Sequence, residues 1–255
     1  QQPPENFARP LFGSPGFAIA VALLWQIRRR HFPGAGLAPW LVTVLATGLS
    51  TVVPVALRRG AFYEMAVCSA FAFAMLLFLS AWHALTREKH RAVWLALAGL
   101  SYGLLVGSRP NLAFSGLILP LLVFAARLQP APAERGVSSL SRGLLCAGLP
   151  AALCFAGLAA YNAARFGSPF DFGHRYQVGS NVAGFTFALP FLWHNLRLYY
   201  FSLPEFSLYF PFFSPAREGA IPEGYFGIEQ VHGQFYTVAL GLLLEVVAEV
   251  DGAAG

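Results

Sequence analysis

Long runs of apolar residues alternate along this chain with short segments that carry its charges. Six of the runs contain no Asp, Glu, Lys or Arg, although the chain holds 17 basic and 12 acidic residues. One charge at the centre of a membrane-spanning helix costs about 2.5–3.5 kcal/mol, so uncharged runs of this length are typical of helices in lipid. They predict membrane-spanning helices at 11–27, 37–57, 65–85, 92–108, 110–126 and 143–164.

A seventh apolar run, 235–250, is weaker because it carries two acidic residues. Glu245 and Glu249 are four residues apart and would share one face of a helix. An intramembrane carboxylate pair is one interpretation. A partial or interfacial helix at the end of the chain is the simpler one.

The pattern as a whole predicts an all-α fold. We expect a polytopic transmembrane helical bundle over 1–164 and an aromatic-rich extracytoplasmic segment over 165–234 that contains an interfacial helix. A partial or final transmembrane helix is expected over 235–255. The alternative is a buried helical core in a soluble protein, but six apolar helices in 255 residues would leave almost nothing to cover them.

Composition agrees with a membrane protein. Hydrophobic residues make up 56% of the chain and charged residues 11%, against about 25% charged in soluble domains. The mean hydropathy is +0.57. The net charge of +5 comes from arginines between the apolar runs, so it indicates membrane lipid as a partner and not nucleic acid.

The basic residues also predict an orientation. The segments 28–36, 86–91 and 127–142 carry nine Lys or Arg, whereas the short segments on the other side (1–10, 58–64 and the turn at Arg109) carry four. The excess predicts that the first set is cytoplasmic. Residue 1 then lies outside. A chain that starts outside without a signal is one explanation. The other, in agreement with the missing Met, is a longer protein with an odd number of further spans upstream.

Prolines and small residues inside the runs predict local features of the helices. Proline frees a backbone carbonyl and bends a helix where neighbouring groups can satisfy that carbonyl. Small residues let two helices approach closely. We expect kinks at Pro54, Pro120 and Pro150, and close packing at Gly143, Ala147, Ala151, Gly157 and Ala160.

The segment 165–234 has 18 aromatic residues and six prolines, too aromatic for a solvated loop. Within it, 190–203 predicts a helix with proline at its first position. Leu192, Leu196, Tyr199 and Leu203 would share one face, and Trp193 and Tyr200 suit the boundary between water and lipid. An interfacial helix is the favoured interpretation, and a short true span is the alternative.

Two polar clusters adjoin these surfaces. In GSRPN (107–111), Arg109 precedes a helix that opens with Pro110 and offers a guanidinium fork suited to a lipid-linked phosphate. An interfacial anchor is the ordinary interpretation of such an arginine. In YNAARFGSPFDFGHRYQ (161–177), a turn at FGSPF is followed by polar groups that could bind a sugar or a polar head group, or simply belong to a structural turn. The polar groups are Asp171, His174, Arg175 and Tyr176.

Glu64 stands at the start of the third run, where the helix dipole alone would favour a carboxylate. Isolated histidines such as His83, His194 and His232 show no spacing for a metal site, and no nucleotide-binding or nucleophile-elbow motif is present. The sequence indicates no cofactor and no metal site, although it leaves a divalent metal ion open.

Three segments of the sequence together resemble a known protein family. They are FYEMAVCSAFAFAML (62–76), GLSYGLLVGSRPN (99–111) and YNAARFGSPFDFGHRYQ (161–177). They resemble the later part of bacterial polytopic proteins related to the C-type membrane glycosyltransferases, which include the protein-mannosyltransferase and aminoarabinose-transferase kinds. The resemblance extends over about residues 60–215.

The resemblance implies a glycosyltransferase of the bacterial inner membrane, which takes a sugar from a polyprenyl phosphate and moves it to an acceptor at the outer face. Its catalytic base would be an acidic residue in a first large outer loop. Glu5 is the only acidic residue before Glu64, so either that loop lies upstream of this chain or the protein lacks the activity. Arg109 and Arg175 would bind the lipid phosphate, and the sugar or acceptor would be bound by Glu64, Asp171, His174 and Tyr176.

Two other functional classes remain open at this point. A transporter or lipid-handling protein is one, although 11–126 and 143–250 show no convincing internal repeat. A non-catalytic polytopic membrane protein is the other. Sugar, acceptor and oligomeric state leave no signature in the sequence.

Overall fold

The computed structural model describes most of the chain up to residue 173 and short stretches beyond it. The described residues are 5–50, 62–87, 89–128, 140–173, 176, 189–202, 205–206, 208 and 213–214. Their side chains are described as well, except those of 5–9, 49–50, 62–64, 189–190, 205–206 and 213–214.

The long described elements are all helices. In chain order they are α1 Glu5–His31, α2 Leu37–Ser50, α3 Phe62–Thr86, α4 Arg91–Ser108, a 3-10 helix Pro110–Leu117 that continues into α5 Ile118–Leu128, α6 Leu140–Phe166, and α7 Leu189–Leu196, which continues into a π turn Arg197–Phe201. Two short strands, β1 Glu205–Phe206 and β2 Phe213–Ser214, pair antiparallel with Glu205 opposite Ser214.

Five of these helical segments are long and apolar enough to cross a membrane. The predicted all-α, polytopic bundle is thereby confirmed, although with five such helices among the described residues, not six. The second predicted span, 37–57, is represented by the shorter apolar helix Leu37–Gly48 and then leaves the described residues. The run 235–250 lies outside them too. The five segments are Pro10–His31, Met65–Thr86, Arg91–Ser108, Pro110–Leu128 and Leu140–Phe166.

The outward faces of these helices are apolar. Leu153, at the middle of α6, is 65% exposed, and Leu121 and Phe124 of α5 are exposed as well. Water would penalise so much exposed apolar surface, whereas hydrocarbon does not. The exposed leucines therefore identify the chain as a multi-pass integral membrane protein, and the soluble helical core is excluded.

The chain divides into two compact units. The first comprises 1–34 and 47–172, and the second comprises 35–46 and 173–255. The domain boundaries predicted at 164 and 234 stay predictions. In the described part of the second unit, Leu198 of the π turn is buried. The core of the first unit is formed by α3, α4, α5 and α6 and includes Leu77, Leu95, Ala98, Leu105, Leu122, Val123 and Ala147.

Ring and side-chain contacts give the directions of the helices in the first unit. α1 runs parallel to α3, because Phe12 meets Phe73 (ring centroids 5.9 Å apart) and His31 meets Trp82 (5.7 Å). α3 and α4 are antiparallel, because the end of α3 contacts the beginning of α4. His83 and Trp94 form that contact, with ring centroids 4.3 Å apart.

α4 also fixes the directions of α5 and α6. Arg91, its first residue, donates a hydrogen bond from Nη1 to the carbonyl of Ala126 near the end of α5 (3.1 Å), so α5 is antiparallel to α4. α6 is parallel to α4, because Gly99 lies against Ala147 and Gly103 against Cys154.

These directions bring the helix ends with many arginines together. We call this the basic end: α1 and α3 finish there, α4 begins there, α5 finishes there and α6 begins there. Its arginines are Arg28, Arg29, Arg30, Arg87, Arg91, Arg127 and Arg142. The opposite end, which we call the distal end, holds the start of α3, the turn at Arg109 and the end of α6. The alternation of sides predicted from the sequence is therefore present in the fold.

The predicted close packing of small residues is confirmed on one face of α6 only. Gly143, Ala147 and Ala151 are buried, and a Cβ atom on Gly99 of α4 would overlap the carbonyl oxygen of Ala147. Gly157, in contrast, has open space beside it. The two helices thus approach to backbone contact over the first half of α6, and the predicted packing at Gly157 is wrong within the described residues.

The prolines behave differently from one another. Pro150 lies inside α6, as expected. Pro120 does not interrupt an α-helix, because the preceding residues form a 3-10 helix and α5 starts only at Ile118. Proline in the first turn of a helix needs no backbone donor, so the predicted mid-helix kink at Pro120 is wrong. Pro54 lies outside the described residues.

The predicted helix at 190–203 is confirmed as α7 with its π turn. Trp193 is 70% exposed, and Leu192 and Leu196 on the predicted apolar face are exposed as well. The buried side chain is that of Leu198, which the prediction left off that face. The π turn explains the change, because one wider turn rotates all later residues around the helix axis.

Candidate functional site

The distal end of the bundle brings two predicted polar clusters to one side of the molecule. α4 and α6 are parallel neighbours, and the turn at Arg109 follows α4 while the turn at 167–172 follows α6. Sequence alone placed both clusters on one side of a membrane. The structure adds that the helices carrying them are in direct contact.

Arg109 occupies the junction between α4 and the 3-10 helix. Its backbone is extended (φ −144°, ψ 97°), its N–H donates to the carbonyl of Leu105 (2.9 Å), and its own carbonyl accepts from Leu112 (3.0 Å). The side chain is half-buried. Pro110 opens the following helix, as predicted. Backbone hydrogen bonds on both sides therefore fix the position of the Arg109 backbone, from which the side chain extends.

Tyr102 holds the 3-10 helix against the bundle. Its hydroxyl donates to the carbonyl of Ala113 (2.6 Å), and its ring meets that of Phe155 in α6 edge-on, with centroids 5.6 Å apart. A Cβ on Gly116 would overlap the tyrosine hydroxyl, so glycine is needed there. One buried tyrosine thus ties together the three elements that surround the Arg109 turn.

The 3-10 helix itself is a short exposed element. It spans eight residues, none of them buried, whereas 3-10 helices longer than about 3–4 residues are uncommon. Phe114 and Leu117 are strongly exposed on it. Beside Arg109, the structure therefore presents an apolar surface suited to lipid chains.

The second turn is built as the sequence predicts. α6 ends at Phe166, and Gly167 follows in the left-handed region (φ 77°), with its N–H donating to the carbonyl of Ala163 (2.9 Å). Glycine is favoured there because it has no Cβ to clash. The turn is held by Asn162, a buried residue that donates from Nδ2 to the carbonyl of Pro169 (3.3 Å).

Asp171 follows this turn and is half-buried. Its N–H donates to the carbonyl of Ser168 (3.3 Å). Phe170 and Phe172 on either side are exposed. Asp171 thus lies in the chain between two residues with exposed aromatic rings, and this combination of groups is suited to a sugar or a polar head group.

The other predicted site residues are described less fully. Glu64 lies in the first turn of α3, at the distal end, but its side chain is outside the described residues, as are His174 and Arg175. Tyr176 belongs to the second unit and is exposed, and its N–H donates to the carbonyl of Gly173 (3.0 Å). The structure thus brings Arg109, Asp171 and the backbone of Glu64 to one end of the first unit.

Two features of the site were missed by the sequence prediction. Asn162 supports the turn from inside, and Arg165 pairs with Tyr161, donating to its hydroxyl from one helical turn away. The guanidinium of Arg165 also lies 5.2 Å from the ring of Phe166. The spacing of four residues between Tyr161 and Arg165 was the signal available in the sequence.

No cluster of His, Cys, Asp or Glu that could hold a metal ion occurs among the described residues. His83, in particular, lies at the basic end and packs on Trp94, away from the distal turns. The chemistry available at the distal end, in the part of the chain that the structure describes, is therefore that of arginines, a carboxylate and aromatic faces.

These features define a multi-pass helical membrane protein with a polar, aromatic-rimmed end. Comparison with protein-family models, with curated proteins and with solved structures finds no significant match.

Proposed function

We propose that the chain is part of a membrane glycosyltransferase that takes its sugar from a polyprenyl phosphate at the distal end of the bundle. The distal end would face outward across a bacterial inner membrane. The observation that carries the proposal is the contact between α4 and α6, which puts the Arg109 turn and the Asp171 turn on neighbouring helices at one end. The motif resemblance supplies the reaction class.

Arg109 would bind the phosphate of the lipid donor. In the transfer, the bond between the anomeric carbon and the phosphate oxygen breaks, and the lipid phosphate leaves with the electron pair. A guanidinium can hold two phosphate oxygens at once and stabilises that developing charge. The exposed Phe114 and Leu117 next to it would lie against the polyprenyl chain.

Asp171 would bind the sugar or the acceptor, and the same role stays a prediction from the sequence for Glu64, His174, Arg175 and Tyr176. Exposed rings of Phe170 and Phe172 offer apolar faces to a sugar, while the carboxylate between them accepts hydrogen bonds from its hydroxyls. The acceptor oxygen attacks the anomeric carbon and gives its proton to a carboxylate. The resemblance assigns that base to an acidic residue in a first large outer loop.

Arg109→Ala is expected to weaken binding of polyprenyl monophosphate about ten- to hundredfold, the range for a charge-assisted bidentate hydrogen bond. The measurement is a titration of the purified full chain in nanodiscs with polyprenyl monophosphate. Titration with the uncharged polyprenol tests the phosphate alone, and its weaker binding should not change in the variant.

Arg165→Ala is the matched control, because Arg165 has the same charge at the same end but is engaged by Tyr161 on its own helix. We expect less than a twofold change. If Arg109→Ala binds the phosphate as well as the native chain does, the phosphate role is wrong. Substrate flux through proteoliposomes without transferase activity in the longer protein would instead favour a transporter.

A further inference from the structure

Arg91 is a buried cation at the basic end of the bundle. It is the first residue of α4 and only 4% of its surface is exposed. Nη1 donates to the carbonyl of Ala126 (3.1 Å), but Nε has no hydrogen-bond partner among the described residues. A guanidinium that has lost most of its hydration needs more than one carbonyl to balance its charge.

Three further arginines lie at the ends of three other helices that meet at the basic end. Arg87 directly follows α3, and its guanidinium lies 5.9 Å from the ring of Trp94 in α4. Arg127 is next to Ala126, the residue that Arg91 contacts, and is exposed. Arg142 is in the first turn of α6, which starts at the same end. The ends of α3, α4, α5 and α6 thus each contribute an arginine to the basic end.

Acidic groups do not balance this charge in the described part of the chain. The acidic side chain described there is Asp171, at the distal end. Glu88 follows Arg87 in sequence and lies outside the described residues, so it enters as a competitor to be tested. A second buried polar atom at this end, Nδ1 of His83, also has no partner among the described residues.

Apolar surface adjoins the arginines. Val93 is exposed two residues after Arg91, and Leu128 is exposed directly after Arg127. Val93 lies further into the membrane-spanning part of α4 than Arg91 does, and the exposed Phe124 lies three residues further into α5 than Arg127, where acyl chains would run. A phospholipid has both a phosphate, which the arginines could bind, and acyl chains, which these apolar side chains could contact.

We propose that the basic end holds the phosphate of an anionic phospholipid between the start of α4 and the end of α5. Arg91 and Arg127 are its principal ligands, and Arg87 and Arg142 flank it. Basic pockets between helices at the membrane surface recognise anionic head groups in this way. The inference is independent of the proposed transferase function, which concerns the opposite end.

The test uses the purified full chain, stripped of lipid in detergent and titrated with phosphatidylglycerol or phosphatidylcholine while native mass spectra count bound lipid. We expect saturable binding of phosphatidylglycerol in preference to phosphatidylcholine. Arg91→Gln should weaken it more than tenfold, and Arg127→Gln about fivefold. Arg30→Gln, which removes the same charge from the exposed end of α1, should change it less than twofold.

Each departure from this pattern overturns the proposal. Equal losses of phosphatidylglycerol binding in Arg30→Gln and Arg127→Gln would mean that the lipid is attracted by the overall positive charge and not by a specific site. Inorganic phosphate that protects the protein against heat as well as phosphatidylglycerol does would make free phosphate the ligand. Arg127 is exposed, so its variant stays informative if Arg91→Gln fails to fold.

Two further variants separate this inference from its competitors. If Glu88 neutralises Arg91 within the chain, Glu88→Gln will destabilise the lipid-free protein as much as Arg91→Gln does, which contradicts the proposal. We expect Glu88→Gln to bind phosphatidylglycerol at least as well as the native chain. Arg165→Ala should bind it unchanged, because Arg165 lies at the distal end and is engaged by Tyr161 on its own helix.

Discussion

Replacing Leu153 by arginine is expected to reduce membrane insertion of α6 by about 2.5–3.5 kcal/mol, the cost of an arginine at the centre of a membrane-spanning helix. Leu153 is 65% exposed and lies midway along α6. At an exposed position in water the same change would be nearly neutral, within about 0.5 kcal/mol. The substitution therefore distinguishes clearly between hydrocarbon and water as the surroundings of Leu153.

The measurement is the fraction of the chain with α6 inserted, read from a glycosylation acceptor placed after the helix. Leu153→Phe is the matched control, because it keeps the position apolar and should insert as the native chain does. An arginine variant that inserts and folds like the phenylalanine variant would show that this face of α6 does not meet hydrocarbon.

Gly99→Leu is expected to cause the second large effect, a loss of about 1–3 kcal/mol or more of folding free energy. A Cβ on Gly99 would overlap the backbone of Ala147, so any side chain pushes α4 and α6 apart. The loss is measured as a lower midpoint of thermal unfolding in detergent, followed by size-exclusion chromatography.

Gly148→Leu is the control for this prediction. Gly148 lies one residue from Ala147 on α6 and has open space around it. A helical leucine is favoured over glycine by about 0.8–1 kcal/mol, so the control should be neutral or stabilising. Equal destabilisation by both substitutions would contradict the backbone contact between the two helices.

The sequence predicted four spans closely: 65–85, 92–108, 110–126 and 143–164 against Met65–Thr86, Arg91–Ser108, Pro110–Leu128 and Leu140–Phe166. Here the charges flank the apolar runs, and the cost of burying a charge in lipid sets the helix ends. The positive residues also predicted which loops lie together, and contacts such as His31 with Trp82 agree.

The 3-10 form of the first part of the span after Arg109 was not predicted, because a tertiary contact favours it. Tyr102 bonds to Ala113, eleven residues further on, and the 3-10 helix forms where that contact and Gly116 hold the chain. A hydropathy pattern does not show whether such a tertiary contact will favour a 3-10 helix over an α-helix. Pro120 then lies in the first turn of α5, where it disturbs nothing.

The part of the candidate site that could be predicted from the sequence is the part that local signals define. Arg109 and the FGSPF turn carry local signals, namely an arginine before a helix-opening proline and a glycine in the left-handed region. Asn162 was missed because its partner, the carbonyl of Pro169, is defined only once the turn closes. Likewise, the burial of Arg91 depends on α5 packing against it, which no local pattern shows.

The most direct test of membrane integration is extraction of membranes from cells that express the full chain. We predict that the protein stays in the membrane pellet through high salt and alkaline carbonate, and that it enters solution only with detergent. Release by carbonate into a supernatant, in which the chain stays dispersed without detergent, would contradict integration in the bilayer and every proposal that depends on it.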